Sequence, residues 1–204
     1  MNQQTIDLYQ YFGRKREKNA RGYITAYLHT DITEMGQSSR RPAMLVLPGG
    51  GYEFVSQREA EPVAQEFFQQ GYHAFVLDYS IAPEFHYPTC LIEAGMAMLY
   101  LRENAEKLGV LKDKIAAIGF SAGGHLAGLI SLFYEDKALK EVFGGRCGQI
   151  RPDATVYSYP VVSADLKLAH SSSFDNLCSD IVKAADYSLE NKVSKEASPA
   201  FIWA

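Results

Sequence analysis

Five consecutive residues, Gly119-Phe120-Ser121-Ala122-Gly123, set a serine between two glycines, directly after the apolar run Ile115 to Ile118 and directly before a segment with helical spacing. A hydroxyl carried on a sharp strand-to-helix turn stands clear of the chain, and glycines two residues to either side remove the side chains that would collide in so tight a bend. The helix that starts beside it points free N–H groups and a positive dipole end at the serine, where negative charge gathers on oxygen during acyl transfer. Ser121 is therefore the candidate nucleophile, and the Ala122 N–H is a natural donor to the oxyanion. A glycine-rich turn with no chemistry fits the same five letters, so the motif needs its context.

That context includes a second glycine-rich stretch, Pro48-Gly49-Gly50-Gly51-Tyr52, after the apolar run Ala43 to Leu47. A loop without side chains lets backbone N–H groups come close to a ligand and complete an oxyanion hole. A phosphate cradle is the competing reading, but the stretch has neither the GxxxxGK nor the GxGxxG spacing that nucleotide sites use. Tyr52, with Phe54 and Phe85, is expected to line the pocket and touch substrate.

The elements that must position these loops can be read from spacing. Ala43 to Leu47 and Ala74 to Leu77 are short, uniformly apolar runs of the kind that form buried strands. Between them Pro62 sits as a first helical residue, Val63, Ala64, Phe67 and Phe68 repeat at helical spacing, and Gly71 terminates the segment. After Pro88, Leu91, Ala94, Met98, Leu101, Ala105 and Leu108 predict a long amphipathic helix stopped by Gly109. Ile115 to Ile118 is a third strand, Ala122 to Phe133 a helix, and Ala154 to Val162 a fourth strand. Tyr23 to His29 reads as an early antiparallel strand, the polar region from Asp165 to Asn191 as an excursion with a helix near Asp180 to Ser188, and Phe201 to Trp203 as the start of one more strand. Alternating helices and short apolar strands imply an α/β class: a mostly parallel sheet with helices on both faces, because crossovers of one hand lay each helix over the sheet. Ligands then bind at the C-terminal edge of the strands, where both glycine-rich loops fall.

Leu47-Pro48-Gly49-Gly50-Gly51-Tyr52, Leu77-Asp78-Tyr79-Ser80-Ile81-Ala82-Pro83 and Gly119 to Ala127 resemble the serine esterases of the α/β-hydrolase class, in the hormone-sensitive-lipase-like and acetyl-xylan/feruloyl-esterase-like branches. The likeness runs from about residue 40 to the end. It implies an α/β-hydrolase fold, Ser121 as nucleophile, the N–H groups of Gly50, Gly51 and Ala122 as oxyanion hole, and hydrolysis of short acyl or acetyl esters. Two positions depart from the pattern: many relatives carry His at the position of Pro48 and Arg at that of Ser80; Pro48 fits the acetyl-esterase-like branch, so it shifts the branch more than the chemistry.

A serine hydroxyl needs a histidine to take its proton and a carboxylate to orient that histidine. By the resemblance, a segment like Pro199 to Trp203 leads into a loop bearing the acid, with the histidine further on, so the acid and base are expected to lie beyond Ala204 together with the last strand and helix. On this expectation the chain is a C-terminally truncated product or a pseudoenzyme, with weak or no turnover. His170, flanked by Asp165, Asp175 and Asp180, is the internal alternative as base, although it falls in the polar excursion. His125, four residues after Ser121 on the same helix, is expected to pack or cap near the turn. His29, His73 and His86 are expected to be structural. A binding protein that uses the same pocket, and an assembly subunit that pairs as a homodimer through an uncovered sheet edge, are the two competing readings.

Composition narrows the remaining classes. With 204 residues, 47% of them hydrophobic, one domain over residues 1–204 can bury its own core. A net charge of −4 gives nucleic acid little to bind, and the cluster Arg14-Lys15-Arg16 with Lys18 and Arg21 reads as a solvated face or loop. No run is long enough for a membrane span and the first ten residues do not look like a leader, so a soluble, cytoplasmic protein is expected. Cys90, Cys147 and Cys178 are too far apart for a zinc or disulfide pattern, so neither metal nor cofactor is expected.

Overall fold

Alternate residues of the run Ala43 to Leu47 serve two different cores: Ala43, Leu45 and Leu47 pack into one, Met44 and Val46 into the other. A strand apolar on both faces must be covered on both. In the computed structural model, which describes residues 1–32, 34, 36, 40–165, 167–178 and 184–204, this run is strand β3 (Arg41–Leu47) in the middle of a seven-stranded sheet. Its neighbours are β4 (His73–Asp78) and β5 (Val110–Phe120), both parallel to it. Beyond β5 lie β6 (Ala154–Ser158) and β7 (Ala200–Trp203), again parallel. Beyond β4 lie two antiparallel strands, β2 (Tyr23–Leu28) and β1 (Asn2–Asp7). The expected α/β architecture, mostly parallel with helices on both faces, is the observed one. β1 alternates too weakly to be found by pattern and is an addition to it.

One face carries α2 (Glu61–Gln69), whose Val63, Ala64, Phe67 and Phe68 meet Met44, Val46, Val76 and Ile118. The other carries α3 (Thr89–Glu103) and α5 (Ala122–Leu132), with α6 (Lys137–Phe143) packed outside α3. The long helix expected after Pro88 exists, but it breaks at Asn104 into α3 and the single turn α4 (Ala105–Leu108), and it is not amphipathic. Nearly every residue from Cys90 to Arg102 is buried, because α1 (Leu8–Tyr11), α6 and a 3₁₀ turn at Gly144–Gln149 cover the side that periodicity assigns to water. β6 also stops at Ser158, short of the expected Val162, since Tyr159 turns to φ 36° and Pro160 has no N–H for a ladder.

The polar excursion forms α7 (Ser171–Leu177) and two short 3₁₀ turns at Ala185–Tyr187 and Leu189–Lys192. Asp180 and much of the helix expected near it lie outside the described residues. The basic cluster is partly internal: Arg16 pairs with Asp7 and lies over the rings of Tyr9 and Tyr23, while Arg21 pairs with Asp78. The three cysteines are buried and no disulfide joins them. No described helix is long and apolar enough to cross a membrane.

Two charges inside α3 survive burial because each is partnered. Arg102 reaches Asp153 and three backbone carbonyls. Glu93 accepts from the Ser80 N–H and hydroxyl, both at 2.6 Å, and from the Tyr9 hydroxyl at 3.0 Å. Burial raises the Glu93 carboxyl above its usual range, against the pull of those donors. The cluster ties the N-terminal strands to the loop after β4. Glu93→Ala strands the Ser80 amide, and equilibrium urea unfolding is expected to show a loss of about 2–4 kcal/mol. A loss under about 0.5 kcal/mol would mean that the cluster does not hold that junction.

Candidate active site

Leu47 pairs with Gly119 and Phe120 with Ser158, so the chain leaves β3, β5 and β6 at one level of the sheet. Ser121 sits at the middle exit. Its φ of 50° and ψ of −118° are strained for a residue with a side chain, and the surroundings enforce them. The Ser121 N–H donates to the Ser158 carbonyl at 3.1 Å, and its carbonyl accepts from Val161 and His125. A Cβ on Gly119 would lie 2.1 Å from the Gly123 carbonyl oxygen, and one on Gly123 would lie 2.1 Å from that of Leu47. Both positions therefore require glycine, as the spacing predicts. The Ser121 side chain makes no capping hydrogen bond to α5, which leaves the hydroxyl for other work, and Ala122 opens the helix, where N–H groups lack intrahelical partners.

The second glycine-rich loop turns beside it with φ of 125° at Gly50, 63° at Gly51 and 58° at Tyr52. Its carbonyls are all engaged elsewhere. Pro48 accepts from the buried Tyr79 hydroxyl at 2.6 Å, Gly49 from Ser56 N–H, Gly50 from the Glu53 and Phe54 amides, and Gly51 from the Asn176 side chain at 2.9 Å. A fixed carbonyl also fixes the N–H at the opposite end of the same peptide, and no described group accepts from the Gly50 or Gly51 N–H. A Gly50 Cβ would strike the Phe54 carbonyl oxygen at 2.1 Å. Tyr79 stood within a motif visible in the sequence; Ser56, Glu59 and Asn176 carried no signal there.

Tyr52 does not line the pocket as expected. Its ring is 2% exposed, and its hydroxyl donates to His125 Nδ1 at 2.8 Å. The positive φ at Tyr52 swings the side chain under the loop and into the core. His125 Nε2–H donates in turn to the Tyr187 carbonyl at 2.8 Å, which fixes the tautomer, since a carbonyl only accepts. Both ring nitrogens are used, so His125 packs beneath the turn and is no base for Ser121. Phe54 is exposed and borders a cleft as expected, whereas Phe85 borders neither cleft at Ser121.

Two clefts meet at Ser121. One, of about 460 Å³, is walled by Pro160, Val161, Val162 and Leu168. The other, of about 320 Å³, is walled by Gly50, Gly51, Phe54, Glu59 and Asn176. Tyr159 and His170 border both. His170 precedes α7, and its Nδ1 is shared with the hydroxyls of Ser173 and Ser172. No described histidine hydrogen-bonds the Ser121 hydroxyl, and no described carboxylate hydrogen-bonds His170. His29 stacks on Phe68, His73 is buried beside it, and His86 bonds the Asn176 carbonyl. Among the described residues no cluster of His, Cys, Asp or Glu could hold a metal.

Burial holds the imidazole of His125 down to about 4, against the usual 6.5. A histidine kept neutral in the fold binds its proton more readily once unfolded. Its contribution is whole above the unfolded value and is lost as pH falls from about 6.5 through 4, by about 3 kcal/mol in all. His125→Gln is expected to flatten that part of the stability curve between pH 7 and 4, measured by urea unfolding. An unchanged slope would show that His125 is not held neutral.

The chain is similar in sequence and fold to known proteins. The BD-FAE family model matches residues 30–162, more than half of the chain. Endo-1,4-beta-xylanase B of Butyrivibrio fibrisolvens is 33% identical over 187 residues, covering 88% of this chain and 28% of the relative, so the chain spans under a third of that protein. Among solved structures, an alpha/beta hydrolase enzyme from a Medee basin deep-sea metagenome library superposes with a TM-score of 0.72 at 35% identity, over 99% of this chain and 67% of the other. An acetyl ester-xyloside bifunctional hydrolase from Caldicellulosiruptor lactoaceticus does so with a TM-score of 0.75 at 31% identity, over 89% of this chain and 65% of the other. With the strained serine turn, the glycine loop beside it and the sheet order all in place, this chain belongs to the BD-FAE family and has the α/β-hydrolase fold.

Proposed function

We propose that the chain carries the nucleophile and oxyanion hole of a serine carboxylic-ester hydrolase acting on acetyl or other short acyl esters. The observation that carries this is the serine at φ 50°, its hydroxyl free of the helix cap, beside a loop whose carbonyls are all hydrogen-bonded while its Gly50 and Gly51 N–H groups have no described acceptor. Ser121 Oγ attacks the ester carbonyl carbon. The carbonyl π electrons move to oxygen, where the N–H groups of Gly50, Gly51 and Ala122 stabilise the charge. Collapse breaks the bond to the alcohol oxygen, which leaves with a proton, and the acyl group stays on Ser121 until water releases it as the acid. The apolar wall of Pro160, Val161, Val162 and Leu168 suits a small acyl chain. The acetyl-ester hydrolase of similar structure supports the same substrate class.

The proton on Ser121 needs an acceptor, and none of the described histidines is hydrogen-bonded to it. Turnover by the chain alone is therefore expected to be slow, since a serine hydroxyl with no base to take its proton is a weak nucleophile. Release of p-nitrophenol from p-nitrophenyl acetate is expected to exceed the buffer rate weakly and to fall to background in Ser121→Ala. Equal rates in the two proteins would overturn the assignment. If full turnover persists in the chain alone and is lost in His170→Ala, an internal base completes the site and the expectation of slow turnover is wrong.

A further inference from the structure

One carboxylate beside Ser121 has no part in the steps above. Glu59 ends the 3₁₀ turn Gln57–Glu59, between the glycine loop and α2. Its Oε2 accepts from the Gly49 N–H at 2.8 Å, and its Oε1 accepts from the Tyr159 hydroxyl at 2.8 Å. Gly49 follows β3 and Tyr159 follows β6, on opposite sides of the exit where Ser121 stands. The point where a Gly49 Cβ would sit lies 2.8 Å from that same Oε2 and 3.1 Å from Ser121 Cβ, so both residues pack against Gly49, and a side chain there would displace them. Gly49 is buried, and the Glu59 carboxylate is its only hydrogen-bond acceptor among the described residues.

We propose that Glu59 is a positioning residue for ester hydrolysis: its carboxylate bridges the loops after β3 and β6 and so holds the Gly50 and Gly51 N–H groups on Ser121. A carboxylate suits this place because both of its oxygens only accept, and here each takes a donor from a different loop. The base of the bridge is firm. Ser56, which precedes the 3₁₀ turn, is buried and donates to the Gly49 carbonyl, so the segment carrying Glu59 grips the same glycine from both sides. The other end of the bridge shapes the site directly, because Tyr159 borders both clefts and takes a φ of 36° that leaves its ring at their junction. Burial, then the hydrogen bond to Glu59, pushes the Tyr159 phenol up to about 12, so it remains a donor at neutral pH.

The inference rests on the esterase reading of Ser121, and two readouts separate the two claims. Amide hydrogen exchange at Gly49, followed by NMR, reports the loop without any catalysis. The rate of Ser121-dependent p-nitrophenol release reports the hole. In Glu59→Ala, Gly49 exchange is expected to speed up and the release rate to fall, each roughly 10- to 100-fold, with KM changed by less than about threefold. Glu59→Gln, which keeps one acceptor oxygen, is expected to recover part of both. Tyr159→Phe is expected to slow release on its own but to add little in the Glu59→Ala background, because the two act through one bridge. Unchanged Gly49 exchange in Glu59→Ala overturns the proposal, and so does faster exchange with wild-type release. If wild type shows no Ser121-dependent release at all, the esterase reading fails, and Gly49 exchange alone decides whether Glu59 holds the loop.

Discussion

A serine forced to φ 50° is the constraint around which the rest of the molecule is arranged. Such a backbone costs on the order of 1–3 kcal/mol and persists only where the surroundings over-determine it. Here three strands do so. β5 delivers Ser121, β6 takes its N–H through the Ser158 carbonyl, and β3 sends its Leu47 carbonyl so near Gly123 that no side chain fits between. The glycines of the motif are thus spaces for neighbouring backbone, and the strain is what lifts the hydroxyl out of the helix cap and into a cleft.

The loop after β3 solves the complementary problem of aiming donors. Peptide groups are rigid, so fixing a carbonyl also fixes the N–H at the other end of the same unit. Tyr79, Ser56, the Glu53 and Phe54 amides and Asn176 hold the carbonyls of residues 48–51, and Ala82 holds that of Tyr52. Beneath them the chain of Tyr52, His125 and the Tyr187 carbonyl joins this loop, the helix after Ser121 and the excursion near residue 187 in one buried path. The clefts are therefore shaped by elements far apart in sequence, with little polar surface left unpaired at the core of the site.

What could be read from the sequence followed from how local its physical cause is. Uniformly apolar runs located β3, β4 and β5, and the two glycine stretches located the site, because both signals lie within a few residues. The N-terminal strand β1 was illegible, since its pairing with β2 comes from the sheet and not from its own polar residues. α3 looked amphipathic because Leu91, Ala94, Met98 and Leu101 recur three and four apart, whereas the charged Glu93 and Arg102 are buried too, with partners contributed from other parts of the chain. Tyr52 read as a pocket aromatic, yet a positive φ next to Gly51 turns it inward, and single residues do not announce such turns. Glu59 and Asn176 reach the site only through folding over 10 and 125 residues respectively, which no spacing rule covers.

The most direct test of the account is a crystal structure of the chain after reaction with a fluorophosphonate, whose tetrahedral phosphorus copies the acyl-transfer intermediate. The account predicts phosphorus bonded to Ser121 Oγ, with the phosphonyl oxygen within hydrogen-bond distance of the N–H groups of Ala122 and of Gly50 or Gly51. An adduct on another residue, or a phosphonyl oxygen turned to solvent with those N–H groups unengaged, would contradict it.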